Sequence, residues 1–468
     1  MADAKGRPRS HKTPPAPVEA RGFALQRLVE IEAGGSYANL ALKGLSDLPA
    51  QERGLATELV GGVTRRRGTL DWYLSRLLKG SLAGLTPVIR NVLRLGAYQL
   101  LFLTRVPASA AVDEAVKLAH RHGHEGVARL VNAVLRNLVR QRAGLDAALP
   151  DPGLDPIGAL EVRYALPRWL AARWHAEHGP EAEALGAWSV RPAQLALRVN
   201  PLRTTRESML AALAAHGVPA VPSEVAPEGI RLQAPADPAQ LPGWDDGWFY
   251  VQDEAAMLVA HVVGPVPGEC VLDLGAAPGG KTTHLAALMA GRGELWAVDR
   301  SAARLKLLEA NQARLGLTGI RTHVGDATDL TALPLADRIL LDAPCSGLGV
   351  LPRKPDLRWR QTPEAIADLA PLQGRMLDAA ASRLRPGGRL VYSTCTMGRE
   401  ENQAVIQAFL SRHPEFTPDD FRACLPEAWR ADTELGGAML QLRPDRHGVD
   451  GFFIAALRRG MMNAEEDA

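Results

Sequence analysis

A regular alternation of short apolar runs and helical segments, beginning at Cys270, most constrains the fold of this chain. Strands are expected at Cys270–Leu274, Leu295–Val298, Arg321–Val324, Arg338–Leu341, Arg389–Tyr392 and Phe452–Ala456, with helices beginning near Thr282, Ser301, Pro363 and Glu401. Such alternation predicts an α/β fold with a mostly parallel, doubly wound sheet. Ligands of these sheets bind at the carboxyl ends of the strands, so residues that follow strands are the first candidates for a site.

A glycine-rich loop follows the first of these strands. Residues Gly275–Thr282 match the phosphate-binding pattern G-x-x-x-x-G-K-T, so an ATPase is one possible interpretation. However, Asp273 lies just before the loop, where a carboxylate would repel a triphosphate but attract the cationic amino end of S-adenosylmethionine (SAM). Two later strands also end in acids, Asp299 and Asp326, and an acid at such a position takes ribose hydroxyls in nucleoside sites. The sequence therefore favours SAM over ATP.

Two of the four cysteines follow the ends of predicted strands. Cys345 lies three residues after Asp342, and Cys395 lies in a Ser-Thr-Cys-Thr segment, whereas Cys270 and Cys424 are expected to be ordinary buried residues. A thiolate suits one reaction in particular, because its addition to C6 of a cytosine makes C5 nucleophilic enough to accept a methyl group. Asp342 is placed in the sequence to supply a hydrogen bond near N3. The chemistry leaves open which of the two thiols is the nucleophile.

Composition divides the rest of the chain into further regions. They are a basic, Pro-rich tail (1–20), an all-α region (21–145), a Pro- and Gly-rich linker (146–165), a small α+β region (166–246), the α/β region that is expected to bind SAM (247–460) and a second tail (461–468). In the α+β region, strands are expected at Leu195–Val199 and Ile230–Leu232, with a helix capped by Thr205 between them. Two basic clusters of the all-α region are candidate RNA contacts: Arg65, Arg66 and Arg67, and a helix face with Arg129 and Arg136.

The bulk properties exclude several classes of protein. The net charge is only +2, and the longest apolar stretch, Pro87–Val106, is interrupted by arginines and so predicts a core helix. The N-terminus lacks the apolar segment of a secretion signal. None of the cysteines forms a CxxC pair, which argues against a zinc cluster and favours a reducing compartment. We therefore expect a cytoplasmic protein with no membrane or metal partner.

With these motifs, the chain resembles the RsmB/NOP family of RNA cytosine-5 methyltransferases, and within it the type that modifies 16S ribosomal RNA, over residues 22–459. The resemblance rests on Ala276-Ala-Pro-Gly-Gly-Lys281, Asp342-Ala-Pro-Cys-Ser-Gly347 and Ser393-Thr-Cys-Thr396, with further matches at residues 197–201, 250–253 and 450–453. The chain departs from the family at Gly275, where Cys is frequent, and at Ala256, where Ser is common.

The resemblance implies a Rossmann-like SAM-dependent sheet preceded by an RNA-binding domain similar to the antitermination factor NusB. It also implies roles for particular residues: the loop Gly275, Ala276, Ala277, Pro278, Gly279, Gly280 and Lys281 holds the methionine part of SAM, Asp299 the ribose and Asp326 the adenine side, while Asp342 borders both cofactor and base. It assigns Cys395 as the nucleophile and Cys345 to product release. The implied partner is 16S rRNA, and a monomer is expected; alternatives are methylation of transfer RNA, an ATPase that acts on RNA, and a binding protein without activity.

Overall fold

The computed structural model describes residues 19–35 and 44–461, so nearly all of the two predicted tails, 1–20 and 461–468, lies outside the described residues. The chain divides into two compact units, one ending at Ala165 and the other beginning at Leu166. Within the described residues, no helix is both long enough and apolar enough to cross a membrane.

The first unit is all-α, as the sequence predicts. Its helices are α1 (Ala20–Glu32), α2 (Ala50–Leu77), α3 (Pro87–Phe102), α4 (Ala108–His122), α5 (Glu125–Ala147) and α6 (Pro156–Arg163). In α5, the apolar side chains Val131, Val134, Leu135 and Leu138 are all buried, as their helical spacing predicts. They join side chains of α1, α2, α3 and α4 in one hydrophobic core.

The segment predicted as a linker, 146–165, contains helix α6. Asp155 caps its N-terminus through the side chain, and Pro156 occupies the first turn, where a missing N–H costs nothing. The hydroxyl of Thr69 in α2 donates to the carbonyl of Val162 at 2.6 Å, which attaches α6 to the bundle. Proline and aspartate therefore mark a helix start here, although by composition they are equally typical of a linker.

The second unit begins with an α+β subdomain. Its elements are α7 (Arg168–His178), α8 (Ala182–Ser189), β1 (Ala196–Val199), α9 (Arg206–Ala215), β2 (Ala220–Pro222), β3 (Gly229–Leu232) and β4 (Phe249–Val251). The strands form an antiparallel sheet in the order β2-β3-β1-β4. Thr205 caps α9 as predicted, by accepting the backbone N–H of Ser208. Strand β4 belongs to this sheet because it pairs with β1, although its residues lie beyond residue 246, where the sequence analysis ended the α+β region.

A larger mixed sheet follows. Its strands are β5 (Cys270–Leu274), β6 (Glu294–Asp299), β7 (Ile320–Val324), β8 (Ala336–Asp342), β9 (Leu384–Thr394), β10 (Phe416–Pro418), β11 (Thr433–Glu434), β12 (Met439–Leu442) and β13 (Phe452–Arg459). The order is β7-β6-β5-β8-β9-β13-β12-β11, with β10 paired to β13. Strands β5 to β9 run parallel, whereas β13 runs antiparallel to β9. The predicted α/β fold is confirmed.

Helices cover both faces of this sheet: α10 (Glu254–Val263), α11 (Gly280–Leu288), α12 (Ala302–Leu315), α13 (Leu357–Arg360), α14 (Pro363–Ala367), α15 (Leu369–Arg383), α16 (Gln403–Arg412) and α17 (Pro444–His447). Leu340 of β8 packs in the core that includes α10, and its neighbours Ile339 and Leu341 pack in the core that includes α15 and α16. Strand β8 lies beside β9 with Asp342 opposite Ser393, so the segments after both strands leave the sheet at the same edge.

Candidate active site

The glycine-rich loop after β5 has a shape that depends on glycine. Gly275 has φ of +85° and Gly279 has φ of +104°, a region of backbone conformation that side chains disfavour. A Cβ atom on Gly275 would also lie well inside van der Waals distance of the carbonyl oxygen of Asp342. The backbone N–H groups of Gly275 and Ala276 both donate to the carbonyl of Val298, which fixes the loop across β5, β6 and β8.

The loop residues that a nucleoside triphosphate would need are bound to carboxylates instead. Lys281 is buried, and its Nζ lies 2.7 Å from Oδ1 of Asp342. The hydroxyl of Thr282 donates to Oδ2 of Asp273 at 2.6 Å. Asp273 is fully buried, and its Oδ1 has no hydrogen-bond partner within the part of the chain that the structure describes. Burial raises the pKa of Asp273 to about 7. These contacts argue against the ATPase interpretation.

A cavity of about 520 Å³ lies at the carboxyl ends of the parallel strands. It is lined by the loop, by the three strand-end acids Asp299, Asp326 and Asp342, and by both cleft cysteines. The carboxylate of Asp299 accepts the backbone N–H groups of Ala277 at 3.2 Å and Ser301 at 2.9 Å. Its orientation is therefore fixed by the loop and by the start of α12. The structure thus brings the three predicted acids, both predicted thiols and two loop residues, Gly275 and Ala277, around this cavity. Ala276, Pro278, Gly280 and Lys281 line a second pocket, which shares Gly275, Ala277 and Asp342 with the first.

The two cleft thiols are in contact. Sγ of Cys345 lies 3.3 Å from Sγ of Cys395, and the backbone N–H of Cys395 donates to the Cys345 sulfur, also at 3.3 Å. The hydrogen bond to Cys395 and burial raise the pKa of the Cys345 thiol well above its ordinary value. The same hydrogen bond, assisted by the positive charge of Lys354, lowers the pKa of Cys395 despite burial. The pair therefore favours a Cys395 thiolate that accepts a hydrogen bond from Cys345.

Buried polar groups hold the Pro-Cys segment in place. Glu401 accepts the backbone N–H of Ser346 at 2.7 Å and its hydroxyl at 2.6 Å. The side-chain amide of Gln373 donates to the carbonyl of Pro344 at 2.8 Å. The sequence analysis missed these two residues. Gln373 lies in helix α15 and Glu401 lies at the predicted start of a helix, and polar side chains at such positions normally face solvent.

The cavity also contains residues without a sequence signal of their own. Lys354 follows the Pro-Cys segment in a short turn-rich stretch, and Arg304 lies in α12, where its guanidinium is 3.3 Å from Asp299. Leu372 and Met376 of α15 add an apolar wall. Only the sheet topology brings these side chains to the strand ends. A basic residue shortly after the Pro-Cys segment is the one signal that could have indicated Lys354.

The predicted RNA-binding arginines differ in their placement. Arg65 is only 9% exposed and lies 3.9 Å from a carboxylate oxygen of Glu58. The guanidinium of Arg66 lies over the ring of Phe102 and donates to a backbone carbonyl of α6 at 2.9 Å, while Arg67 is half-buried. This placement argues against phosphate binding by the first two, because their charged groups stabilise the helical unit itself.

The face of α5 that carries the other predicted RNA contacts is open to solvent. The side chain of Arg129 is 77% exposed and pairs with Glu125 at 3.2 Å. Arg136 is exposed and donates to Asn132 at 2.8 Å. Contacts between neighbouring turns of a helix surface contribute little to stability and are easily exchanged for other partners. RNA contact by Arg129 and Arg136 stays a prediction.

Three parts of the chain match known families. Residues 260–458 match the 16S rRNA methyltransferase RsmB/F family, residues 18–140 match the NusB family, and residues 166–238 match the ferredoxin-like domain of RsmF/B-like methyltransferases. Among solved structures, that of PH0851 is similar with a TM-score of 0.78 and 29% identity, covering 93% of this chain and 98% of that one. The structure of NSun6 from Pyrococcus horikoshii with SFG covers 63% of this chain and 99% of that one, with a TM-score of 0.57 and 26% identity.

Curated relatives match along almost the whole chain. The probable ribosomal RNA small subunit methyltransferase B of Synechocystis is 40% identical over 450 residues, which cover 94% of this chain and all of that one. The corresponding protein of Bacillus subtilis is 38% identical, covering 94% and 98% of the two chains, and that of Salmonella typhi is 36% identical, covering 93% and 98%. With this similarity along the whole chain and the matching domains, the chain belongs to the 16S rRNA methyltransferase RsmB/F family.

Proposed function

We propose that this protein transfers a methyl group from SAM to C5 of a cytosine in 16S ribosomal RNA, through a covalent bond between Cys395 and C6 of the base. The observation that carries the proposal is the contact of two thiols, 3.3 Å apart, at the wall of a cavity that is also lined by three strand-end acids. Methylation of an amine or a hydroxyl has no use for such a thiol pair, whereas C5 of cytosine needs a nucleophile at C6.

The residues around the cavity fit SAM. The unpartnered Oδ1 of Asp273 lies at the loop, and this carboxylate would attract the cationic amino group of SAM. Asp299 would accept ribose hydroxyls, and Asp326 lies on the same cavity toward the adenine side. Leu372 and Met376 supply an apolar wall suited to the face of a purine. When bound, SAM supplies a methyl group on a positively charged sulfur.

The protein's own groups would act in sequence. The Cys395 thiolate adds to C6, and the negative charge that moves through the ring to N3 and O2 is neutralised by a proton from the Asp342–Lys281 pair. Because Ser393 also donates to Asp342 at 3.0 Å, this carboxylate has a fixed orientation at the thiols. C5 then takes the methyl group, which leaves the sulfonium sulfur of SAM as a neutral thioether. A base removes the C5 proton, N3 returns its proton to the Asp342–Lys281 pair, and the C6–S bond breaks to release the thiolate.

The thiol pair suggests how Cys345 assists release. While Cys395 is a thiolate, its charge and hydrogen bond raise the pKa of Cys345. Once the Cys395 sulfur is bonded to C6, it carries no negative charge. It therefore no longer raises the pKa of Cys345. Cys345 then becomes easier to deprotonate at the stage when the C5 proton must be removed.

The experiment that tests this proposal combines the purified protein, SAM and 16S rRNA with single alanine variants. Cys345→Ala is expected to accumulate a protein–RNA adduct that survives denaturation, and Cys395→Ala to form neither adduct nor 5-methylcytosine, as measured by gel shift and nucleoside mass spectrometry. Cys424→Ala is the matched control, because this half-buried thiol lies away from the cavity and should leave methylation intact. Reversed outcomes for the two cleft cysteines would refute the assigned roles, and ATP hydrolysis with unmodified RNA would refute the reaction.

The same assay distinguishes the substrates. The NusB-like helical unit and the names of the relatives favour ribosomal RNA over transfer RNA. We expect 16S rRNA to be methylated in preference to a mixture of transfer RNAs at equal nucleotide concentration. We also expect Arg129→Ala and Arg136→Ala to weaken rRNA binding and to reduce its salt dependence, because each removes one cationic contact to phosphate.

A further inference from the structure

A cluster of potential metal ligands lies outside the cavity described above. Glu228 precedes strand β3, His261 lies in α10 and His284 lies in α11. Nε2 of His261 is 3.1 Å from both carboxylate oxygens of Glu228, and Nε2 of His284 is 2.8 Å from Oε1 of the same carboxylate. One ligand atom of each residue lies within 4.8 Å of those of the other two. The sequence analysis expected no metal partner because the chain has no CxxC pair. It did not consider these three residues, which come from segments that only the fold brings together.

The environment of this cluster is one in which an ion would be held. The side chain of His284 is 1% exposed, that of Glu228 is 12% exposed and that of His261 is 21% exposed. Nδ1 of His284 has no hydrogen-bond partner within the described residues, and Nε2 lies 2.8 Å from the Glu228 carboxylate without a well-aligned hydrogen bond. A buried polar nitrogen without a partner destabilises the fold, and a cation bound to it would remove that cost.

The spacing and chemistry of the cluster match one class of ion. Ligands about 2.1 Å from a tetrahedral zinc ion lie about 3.4 Å from one another, close to the contacts of 2.8 and 3.1 Å seen here. Two imidazoles and a carboxylate are a ligand set that zinc accepts, with water in a fourth position. Magnesium and calcium are disfavoured, because both prefer oxygen ligands throughout.

We propose that Glu228, His261 and His284 bind a Zn²⁺ ion. The ion would connect the α+β subdomain, through Glu228, with two helices of the methyltransferase sheet. One of these helices, α11, begins at Gly280 at the end of the glycine-rich loop, and His284 lies one turn later. Zinc binding would therefore stiffen the start of the helix from which the loop extends.

The test must separate this site from the cleft thiols, because two cysteines in contact can also bind zinc. The full-length protein carrying Cys345→Ser and Cys395→Ser together is treated with a chelator, supplied with Zn²⁺, gel-filtered and analysed for metal by mass spectrometry. We expect one zinc ion per chain. In the same background, Glu228→Gln and His261→Gln should each lose it, whereas the exposed His216→Gln serves as the matched control and should retain it. Retention of zinc by both ligand variants, or its absence from the protein with Cys345→Ser and Cys395→Ser, would overturn the proposal.

A second readout does not depend on how well the variants fold. Co²⁺ in place of Zn²⁺ reports the ligand atoms through its absorption spectrum. In the protein with Cys345→Ser and Cys395→Ser, we expect the visible absorption bands of cobalt that is bound by nitrogen and oxygen. A strong sulfur-to-cobalt charge-transfer band in that protein would show that Cys270 or Cys424 binds the ion instead, and would refute the site. Circular dichroism of each variant establishes whether loss of metal reflects loss of a ligand or loss of structure.

Discussion

The buried carboxyl group of Asp273 should make the stability of the second unit depend on pH. Its side chain is fully buried, accepts one hydrogen bond from Thr282 and has an unpartnered oxygen, and burial raises its pKa from 3.8 to about 7. A group whose pKa is raised by folding keeps its proton longer in the folded protein than in the unfolded chain. Its contribution to stability is therefore complete below about pH 4 and is lost as the pH rises through 7.

The size of the effect follows from the two pKa values. A gap of about 3 between them, at 1.36 kcal/mol per pH unit, corresponds to about 4 kcal/mol of stability lost between about pH 4 and about pH 7. Asp273→Asn removes the titration and retains an oxygen that can accept the Thr282 hydroxyl. The variant's stability relative to the wild type should rise by about 3 kcal/mol between about pH 5 and about pH 8.5.

Urea denaturation at the two pH values measures this difference directly. Asp326→Asn is the control with the opposite sign, because hydrogen bonds from the backbone and side chain of Thr328 lower the pKa of Asp326. That variant should gain no relative stability as the pH rises. A difference between Asp273→Asn and wild type that stays constant or falls with rising pH would refute the reasoning.

The carboxylate of Asp273 should also couple SAM binding to the release of a proton. In the proposed complex, ionised Asp273 would attract the ammonium group of SAM, so SAM binding should favour loss of the carboxyl proton. Titration calorimetry in two buffers of different ionisation enthalpy should show proton release near pH 7 in the wild type and much less in Asp273→Asn. Equal proton release from both proteins would assign that proton to another group.

The remaining predictions concern the thiol pocket. Lys354→Met should raise the pKa of Cys395, so the rate of its alkylation by iodoacetamide should reach half its maximum at a higher pH than in the wild type. A Cβ atom on Gly349 would lie 2.8 Å from the carbonyl oxygen of Cys395. Because such overpacking forces backbone shifts, Gly349→Ala should destabilise the protein by about 1–3 kcal/mol and abolish methylation. Gly374→Ala, whose Cβ would approach only one flexible arginine at 3.9 Å, is the matched control for both stability and activity.

Strands β5, β6 and β8 could be predicted from sequence because each contains a short apolar run that ends at a glycine or an acid. The site at their carboxyl ends followed from that pattern, since parallel strands present their ends at one edge. Helix α6 was mistaken for a linker, because Asp155 and Pro156 signal a helix start and a turn equally well. Strand β2 was not predicted, because its three residues are too few to show a periodic pattern and the last of them is a proline.

Other features could not be obtained from sequence because they depend on contacts between distant segments. A run of three arginines indicates a basic patch, but Arg65 is buried by the packing of its own helical unit. Glu228, His261 and His284 are separated by more than twenty residues at each step, and no spacing rule joins them. The unequal ionisation of Cys345 and Cys395 depends on their contact, so the residues alone could not rank the two thiols, and only the family resemblance did so.

The pairing of Asp342 with Ser393 across neighbouring strands has a mechanical consequence. The carbonyl of Asp342 packs against the glycine-rich loop, its carboxylate contacts Lys281, and three residues later the same backbone carries Cys345. A nucleoside bound against the loop would therefore contact the same stretch of backbone, residues 342–345, that sets the distance between the two sulfurs. The loop that would hold the cofactor and the thiols that would meet the base are therefore joined through residues 342–345, so we expect displacement of one to shift the other.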